Sequence, residues 1–424
     1  MLTQEENDLL THVGPGTPMG EVFRRFWLPA ATLDELPAPD CDPIRTRILG
    51  EDLVGFRDSN GNASFVAPFC PHRRAPLFFG RNEECGLRCV YHGWKFDVNG
   101  NCIDMPSEPA ESNFKDKVHL KAYPARQYGP LFWIYMGPPD KMPELPRLEV
   151  MEQPNAMTSK WLQEANYMQA LEGNIDTAHV SYLHRVLDFE KDGTGIRNAV
   201  REVADNDAHP RLEVMETDYG FAYGGRRRVA NGDYYWRVTQ WLLPTHSMIP
   251  SPNWMPAGSI WVPIDDYHSF RHLTFSGRRP GRPMLPTHKE QFTLRDGAII
   301  DALVGDRNRS NLYQMKREDQ RTVNYTGIQV IATQDQAMVE GMGYICDRTQ
   351  EHLGTSDGAV IAARRRLLKT ARDLQHGIEP YAATHPEVYH VRPLDIVSHE
   401  SEIGPLLAEY DAWVNGRVPA EARP

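Results

Sequence analysis

The order of hydrophobic and polar residues predicts that the chain begins with helices. Thr3 and Glu6 have the spacing of a capping box, in which two side chains cap each other's backbone N–H groups. Thr17 followed by Pro18 is the pattern of an N-cap and a first helical residue. We therefore predict two short helices, the second of which ends before Pro29.

Between about residues 45 and 136 the pattern changes to that of strands. Short apolar runs are interrupted there by Asn60-Gly61 and Asn99-Gly100, dipeptides that are typical of tight hairpin turns. The proline-rich segment 138–147 then has the composition of a linker. This part of the chain is predicted to be a small all-β unit.

The remainder of the chain mixes strands and helices. Asn231-Gly232 predicts another hairpin, and the segment from Gly358 to Gly377 has the pattern of a long helix. The predicted fold class is α+β, with an all-β domain placed before an α+β domain. We predict N-terminal helices over 1–44 that pack with the second domain, the all-β domain over 45–147, and the α+β domain over 148–424.

Composition and charge exclude several functions. The 424 residues are 41% hydrophobic and 24% charged, which is ordinary for a globular protein. A net charge of −11 argues against nucleic acid as a partner, because its phosphates would be repelled. The sequence has no apolar run near the ~18 residues that a membrane helix needs, and its acidic start is unlike a signal peptide, so we expect a cytoplasmic protein. The six cysteines show no disulfide framework, which leaves thiols free to bind metal.

The most informative stretch is "CPHRRAPLFFGRNEECGLRCVYHGW", residues 70–94. Cys70 and His72 form a C-x-H pair, and Cys89 and His92 form a C-x2-H pair. A Rieske 2Fe-2S centre needs two cysteines on one iron and two histidines on the other, and two mixed pairs provide this arrangement. Zinc with four mixed donors is the main alternative. The spacing favours the Rieske cluster.

A second candidate metal motif lies in "LEGNIDTAHVSYLHR", residues 171–185. Asp176, His179 and His184 have the spacing D-x2-H-x4-H. In a regular helix Asp176 and His179 share a face, whereas the two histidines are some 140° apart. Both can reach one ion only if the helix breaks or bulges between them. Two histidines and one carboxylate would make the facial triad of a non-haem Fe(II) oxygenase, and surface histidines on a helix are the alternative.

Together the two motifs resemble those of Rieske non-haem iron aromatic-ring oxygenases, in their oxygenase component. The likeness covers nearly the whole chain, from "LLTHVGPGTPMGEVFRRFWLP" through "GRNEECGLRCVYHGWKFDVNGNCIDMPSEP" to "QDQAMVEGMGYICDRTQEHLGTSD". Within this family the chain is similar to the phthalate 4,5-dioxygenase group, which includes chlorobenzoate dioxygenases and O-demethylases. The resemblance implies a central antiparallel sheet of the helix-grip, START-like type in the second domain.

The resemblance also implies roles for the candidate residues. Cys70, His72, Cys89 and His92 match the cluster ligands, and His179, His184 and Asp335 match the ligands of one catalytic Fe(II) per subunit. Asp176 matches the residue that bridges this iron site to a cluster histidine of the neighbouring subunit. The residues alone leave the third iron ligand open, because Asp347, Asp357 and Glu340 are equally available.

The implied activity is hydroxylation of an aromatic carboxylate with O2. An NADH-dependent flavin and iron–sulfur reductase would supply the electrons, and the subunits would form a homotrimer or hexamer. O-demethylation of a methoxylated aromatic acid is an alternative that uses the same iron centre. A Rieske electron carrier without a catalytic iron and a zinc-binding module are the alternatives from other classes, and an iron count with an absorption spectrum distinguishes them.

Four arginines surround the hairpin in "GGRRRVANGDYYWRVTQW": Arg226, Arg227, Arg228 and Arg237. Alternate residues of a strand face the same side, so one or two of these arginines can point towards the iron and hold a substrate carboxylate. We take Arg228 and Arg237 as the candidates. The alternative is an edge strand that carries solvated charges.

Overall fold

The computed structural model describes residues 1–109, 111–191, 207, 209–229, 231–250, 257–276 and 287–419. Within these residues the strands form five sheets, of which one has eight strands. None of the helices in this part of the chain is both long and apolar enough to cross a membrane.

The capping pattern at the N-terminus produces both predicted helices. α1, Gln4–Thr11, follows Thr3, which forms the predicted capping box with Glu6. α2, Pro18–Phe23, follows an N-cap threonine whose hydroxyl accepts a hydrogen bond from the Gly20 N–H group. These caps satisfy N–H groups that the first turn of a helix leaves without partners.

Eleven strands precede residue 136. They are β1 Trp27–Thr32, β2 Ile44–Ile48, β3 Glu51–Arg57, β4 Ala63–Val66, β5 Arg81–Glu83, β6 Gly86–Arg88, β7 Lys95–Phe96, β8 Cys102–Asp104, β9 Ala122–Tyr123, β10 Ala125–Tyr128 and β11 Leu131–Tyr135. They form three antiparallel sheets, in the orders β2-β3-β4-β9, β5-β6-β7-β8 and β1-β11-β10. Gly61 and Gly100 have φ angles of +84° and +85° in the two predicted asparagine-glycine turns.

The strands after residue 150 are β12 Ala156–Gln163, β13 Arg211–Glu216, β14 Gly220–Arg228, β15 Tyr234–Leu242, β16 His246–Met248, β17 Ala257–Pro263, β18 Ser269–Ser276, β19 Thr287–Thr293, β20 Ile299–Gly305 and β21 Leu394–Ser398. The further helices are α3 Glu149–Glu152, α4 Tyr167–Ile175, α5 Asp319–Thr322, α6 Ile331–Gly341, α7 Gly358–Gln375, α8 Tyr381–Thr384, α9 Ile403–Glu409 and α10 Asp411–Val414. α7 is the predicted long helix.

The eight-stranded antiparallel sheet has the order β12-β18-β17-β16-β15-β14-β13, and β21 also pairs with β15. One side of this sheet is covered by α4, since Ser269 donates a hydrogen bond to the Ala165 carbonyl and Ser247 donates one to Asn174. We call this side the α4 face. Strand alternation and the register place on it Trp161, Tyr223, Arg227, Arg237, Trp261 and Arg271.

α6 is tied to α4 by side-chain hydrogen bonds. The Gln169 amide donates to the carbonyl oxygens of Val339 and Gly343 at 2.9 and 2.7 Å. α1 is tied to the same helix, because the Tyr167 hydroxyl donates to the Leu10 carbonyl at 2.7 Å. These contacts join the first half of α4 to α1 and to the end of α6. The domain boundaries given above stay predictions, and β1 lies before the first of them while pairing with β11.

Candidate metal centres

Two loops bring the cysteines of the first motif together. In each loop the cysteine N–H group donates to a carbonyl five residues further on. Cys70 donates to the Ala75 carbonyl at 2.9 Å, and Cys89 donates to the Trp94 carbonyl at 2.8 Å. The cysteines are 1% and 2% exposed. Burial, with the neighbouring Cys89 sulfur as a smaller cause, raises the pKa of the Cys70 thiol to about 11. A metal that displaces these protons would form strong bonds to both sulfurs.

The two loops have the same backbone shape although their spacings differ. The fourth residue after each cysteine, Arg74 or Gly93, is left-handed, with φ angles of +60° and +79°. Each of these residues donates its N–H group to the carbonyl of its own loop cysteine at 2.9 Å. A side chain at Gly93 would also approach the Pro106 ring to 2.6 Å, so glycine is required there.

His72 and His92 lie in the same loops, with ring centroids 4.3 Å apart. The His72 ring stacks on Trp94 at 4.5 Å. Its Nδ1 atom is buried without a hydrogen-bond partner among the described residues, and a metal ion would provide one. Two buried sulfurs and two partly exposed imidazoles are the donor set that a Rieske cluster needs.

The second motif does not lie on one helix. α4 ends at Ile175, and Asp176 has an extended backbone with φ −83° and ψ 120°. Its carboxylate accepts a hydrogen bond from the Ala178 N–H group at 2.7 Å, so the side chain replaces a helical carbonyl as acceptor. The prediction that Asp176 and His179 share a helical face is therefore wrong, and the break precedes Asp176. His179 then begins a single 3₁₀ turn.

This turn brings His179 and His184 against Asp335 of α6. The Nε2 atom of His184 lies 3.1 Å from Nε2 of His179 and 3.0 Å from Oδ1 of Asp335. The third separation, from His179 Nε2 to Asp335 Oδ1, is 3.6 Å. Ligands about 2.1 Å from one ion at right angles to each other lie about 3 Å apart. The three side chains therefore fit a single divalent ion bound on one face.

Neighbouring side chains orient both histidines. Nδ1 of His184 lies 2.7 Å from the side-chain Oε1 atom of Gln334. The side-chain Nε2 atom of Gln334 donates to the Ile328 backbone carbonyl at 2.7 Å. This amide orientation makes His184 the donor at Nδ1 and leaves Nε2 for a metal. Sequence reasoning missed Gln334, for which adjacency to Asp335 was the available signal.

Nδ1 of His179 lies 3.4 Å from the Asp176 carboxylate. Burial alone would raise the pKa of Asp176, but the hydrogen bonds from His179 and from backbone N–H groups lower it below its ordinary value. Burial likewise opposes protonation of His179, while Asp176 and then Asp335 raise the pKa of the ring above its usual value. Asp176 is therefore an ionised acceptor placed behind His179.

The candidate iron site is partly accessible. The side chains of Asp335 and His179 keep 29% and 22% of their area accessible. This accessible area leaves room for further ligands beside the triad.

The structure separates the four arginines of the hairpin by strand alternation. Arg227 and Arg237 are on the α4 face, and the Arg237 charge opposes protonation of His179. The Arg237 Nε atom is buried without a hydrogen-bond partner among the described residues. Arg227 donates to the Thr177 carbonyl at 3.2 Å and so supports the turn that follows Asp176. Arg226 lies on the opposite side of the sheet.

Arg228 also lies on that opposite side and is exposed. The choice of Arg228 implied that this residue and Arg237 share a face, whereas the register of β14 with β15 places Arg227 on the face of Arg237. The structure therefore does not bring Arg228 to the candidate site, whereas it does bring Arg227.

Comparisons with known proteins agree with this arrangement. A model of the Rieske [2Fe-2S] domain matches residues 26–124, and a family described as LigXa C-terminal domain like matches residues 134–404. The first match confirms a Rieske domain over the zinc alternative, and Cys70, His72, Cys89 and His92 stay its predicted ligands.

Two curated relatives match along most of their length. The chain is 40% identical to the phthalate 4,5-dioxygenase oxygenase subunit of Pseudomonas putida, over 89% of this chain and 88% of that one. It is 32% identical to the 5,5'-dehydrodivanillate O-demethylase oxygenase subunit of Sphingobium sp. (strain NBRC 103272 / SYK-6), over 96% and 90%. The fold is similar to that of dicamba monooxygenase bound to dicamba, with a TM-score of 0.58 at 18% identity, covering 84% of this chain and 98% of that one.

The similarity in fold to dicamba monooxygenase confirms the predicted α+β class and the large antiparallel sheet. The family carries a Rieske 2Fe-2S cluster and a non-haem iron. From these matches, the chain belongs to the Rieske non-haem iron aromatic-ring-hydroxylating oxygenases, as an oxygenase component of the phthalate 4,5-dioxygenase-like group.

Proposed function

We propose that this oxygenase component hydroxylates an aromatic carboxylate with O2, acting as a dioxygenase. One observation carries the proposal: the Rieske loops occur in the same chain as a His-His-Asp site whose shorter separations are 3.0 and 3.1 Å. An electron carrier would have no use for this second site, because the cluster alone transfers electrons.

In this proposal each side chain has a defined task. Cys70, His72, Cys89 and His92 hold the cluster, and His179, His184 and Asp335 hold one Fe(II). When bound, the cluster delivers single electrons and the iron supplies the redox chemistry that activates O2. Gln334 and Asp176 fix the ring orientations of the two histidines.

The electrons come from a reductase, for which we propose an NADH-dependent flavin and iron–sulfur protein. The Asp176 carboxylate, which lies 3.4 Å from His179 Nδ1, would bridge this histidine by hydrogen bonds to a cluster histidine of a neighbouring subunit. Two separate groups of exposed apolar residues support such a neighbour: Val90 and Tyr91 beside His92, and Tyr182 and Tyr325 near His184. Contact between two different surfaces of identical chains forms a ring when the rotation between neighbours closes, and we propose a homotrimer or a hexamer of stacked trimers.

The substrate proposal rests on the composition of the α4 face. Tyr223, Trp161 and Trp261 provide aromatic walls, and Arg237 provides a cation near His179. Such a surface suits a planar ring that carries a carboxylate. The relative with 40% identity is named for phthalate, an acid of this kind.

O-demethylation of a methoxylated aromatic acid is the second candidate. The observation that favours it is the match to the 5,5'-dehydrodivanillate O-demethylase subunit, which extends over 96% of this chain. Both reactions would use the same three iron ligands, so only identification of the product distinguishes a dioxygenase from an O-demethylase.

The test combines metal analysis with oxygen uptake by the purified oxygenase component and a reductase. We expect about three irons per chain, two in the cluster and one mononuclear. Phthalate and 3-chlorobenzoate should stimulate uptake and yield a cis-dihydrodiol. Formaldehyde and a phenol from a methoxybenzoate, without any diol from the other two acids, would support the second candidate instead.

The cluster assignment gives a separate expectation. Cys89→Ser should abolish the visible Rieske spectrum and all turnover, because a neutral hydroxyl is a poor substitute for a thiolate on ferric iron. Cys102→Ser is the matched control, since Cys102 is a buried thiol of the same core outside the two loops. Absorption and iron content would be measured for both variants, and a normal spectrum in Cys89→Ser would refute the ligand assignment.

A further inference from the structure

Arg271 lies on β18 between two tryptophans. Its register partners are Trp161 on β12 and Trp261 on β17, and its guanidinium carbon lies 4.8 and 5.1 Å from their ring centroids. All three side chains are on the α4 face. Arg271 is 8% exposed, so this cation is enclosed by aromatic walls.

No carboxylate of the described residues neutralises Arg271. Its Nε and Nη2 atoms donate to one neutral acceptor, the Ser259 hydroxyl, at 3.3 and 3.0 Å. The other buried arginines of the described chain with ion pairs lie within 3.0 Å of a carboxylate: Arg24, Arg47, Arg348, Arg364 and Arg392. Burying a cation without a carboxylate partner is costly, and Arg271 shares this condition only with Arg227 among the buried arginines of the described chain; Arg227 donates to two backbone carbonyls instead.

The two tryptophans beside Arg271 also carry donors that have no acceptor. The indole N–H groups of Trp161 and Trp261 are buried without hydrogen-bond partners among the described residues. Both tryptophans are on the α4 face by strand alternation. Buried donors are nearly always paired in folded proteins, so these two indicate that acceptor oxygens enter from a ligand or from water.

Arg271 is also near the candidate iron site. Burial lowers the pKa of Arg271 to about 10, and the Asp335 carboxylate partly opposes this shift. The charges of Arg271 and Asp335 therefore interact. Arg237 acts on another member of the triad, His179, from a strand three positions away in the sheet. Cations on two different strands thus act on the candidate iron site.

We propose that Arg271, oriented by Ser259 and enclosed by Trp161 and Trp261, binds an anionic oxygen of the substrate beside the iron site. It is a specificity-determining residue for acidic aromatic substrates, separate from Arg237. This proposal rests on the proposed function, because it assumes that the α4 face is the substrate pocket.

The test measures recognition of charge by the holoenzyme. Benzoate and its uncharged isostere benzamide are titrated against wild type and Arg271→Gln by calorimetry. We expect wild type to prefer benzoate, and Arg271→Gln to weaken benzoate binding roughly tenfold or more while benzamide binding changes less than about twofold. Arg271→Lys should retain part of the preference. Arg226→Gln, on the opposite side of the same sheet, is the matched control and should change neither affinity.

The outcomes separate this inference from the proposed function. If wild type does not prefer benzoate, the acidic substrate is wrong and the inference falls with it. If wild type prefers benzoate and Arg271→Gln keeps the same preference, the inference alone is overturned. Loss of the mononuclear iron with an unchanged benzoate preference would mean that Arg271 serves only Asp335, which also overturns it.

A second variant covers the case in which Arg271→Gln does not fold, as judged by its Rieske spectrum. Ser259→Ala removes only the hydroxyl that accepts from the guanidinium. We expect a smaller, selective loss of benzoate affinity in this variant, and an unchanged ratio of the two affinities would contradict the proposal.

Discussion

Asp176→Asn should leave both metal centres in place and lower turnover by roughly 10- to 100-fold. The carboxylate lies 3.4 Å from His179 Nδ1 and accepts from the Ala178 N–H group. An amide carries no charge and can present a donor where an acceptor is required. The iron ligands are untouched, so the effect should fall on electron transfer and on the orientation of His179.

The decisive measurement is single-turnover oxidation of the pre-reduced cluster in the presence of substrate and O2. Iron content and oligomeric state are measured on the same sample. Asp188→Asn is a suitable control, because in the described structure the carboxylate of this aspartate contacts only the Glu190 and Lys191 N–H groups and the Lys191 ammonium. A wild-type rate in fully metallated Asp176→Asn would show that the electrons do not depend on this carboxylate.

His184→Ala should remove the mononuclear iron and reduce turnover to background while the Rieske spectrum stays intact. His184 provides both of the shortest contacts of the triad, 3.1 Å to His179 and 3.0 Å to Asp335. Its loss therefore leaves only His179 and Asp335, whose ligand atoms are 3.6 Å apart. Iron should fall from about three to about two per chain.

His179→Ala should behave in the same way, and His352→Ala, an exposed histidine, should behave as wild type. Absorption, iron analysis and oxygen uptake on each variant provide the comparison. Disappearance of the cluster bands together with the activity would mean that the two metal centres are not independent.

The sequence was sufficient for the parts of these sites that depend on local spacing. The two Cys-His pairs indicated their cluster because each pair lies within one short loop. The caps at Thr3 and Thr17 predicted helix starts correctly for the same reason. What spacing could not provide was the end of α4, since the Asp176 side chain itself competes for the backbone N–H groups there.

Contacts between distant segments were also beyond local spacing. Asp335 was one of several carboxylates in its region, and only family likeness selected it. The alternation along β14 was predictable, but its phase depends on pairing with β15, which places Arg227 on the α4 face and Arg228 on the other. Arg271 gave no signal at all, because its importance comes from tryptophans on two neighbouring strands.

The adjacency of Gln334 and Asp335 has a mechanical consequence. Gln334 holds the ring of His184, and Gln334 and Asp335 both belong to α6, so His184 and Asp335 are coupled to one rigid element. His179 is coupled instead to Asp176 in the turn after α4. A small displacement of α6 would therefore carry two of the three side chains together and preserve their 3.0 Å separation. The two distances from His179, 3.1 Å to His184 and 3.6 Å to Asp335, would change, which makes His179 the most independently placed ligand of the triad.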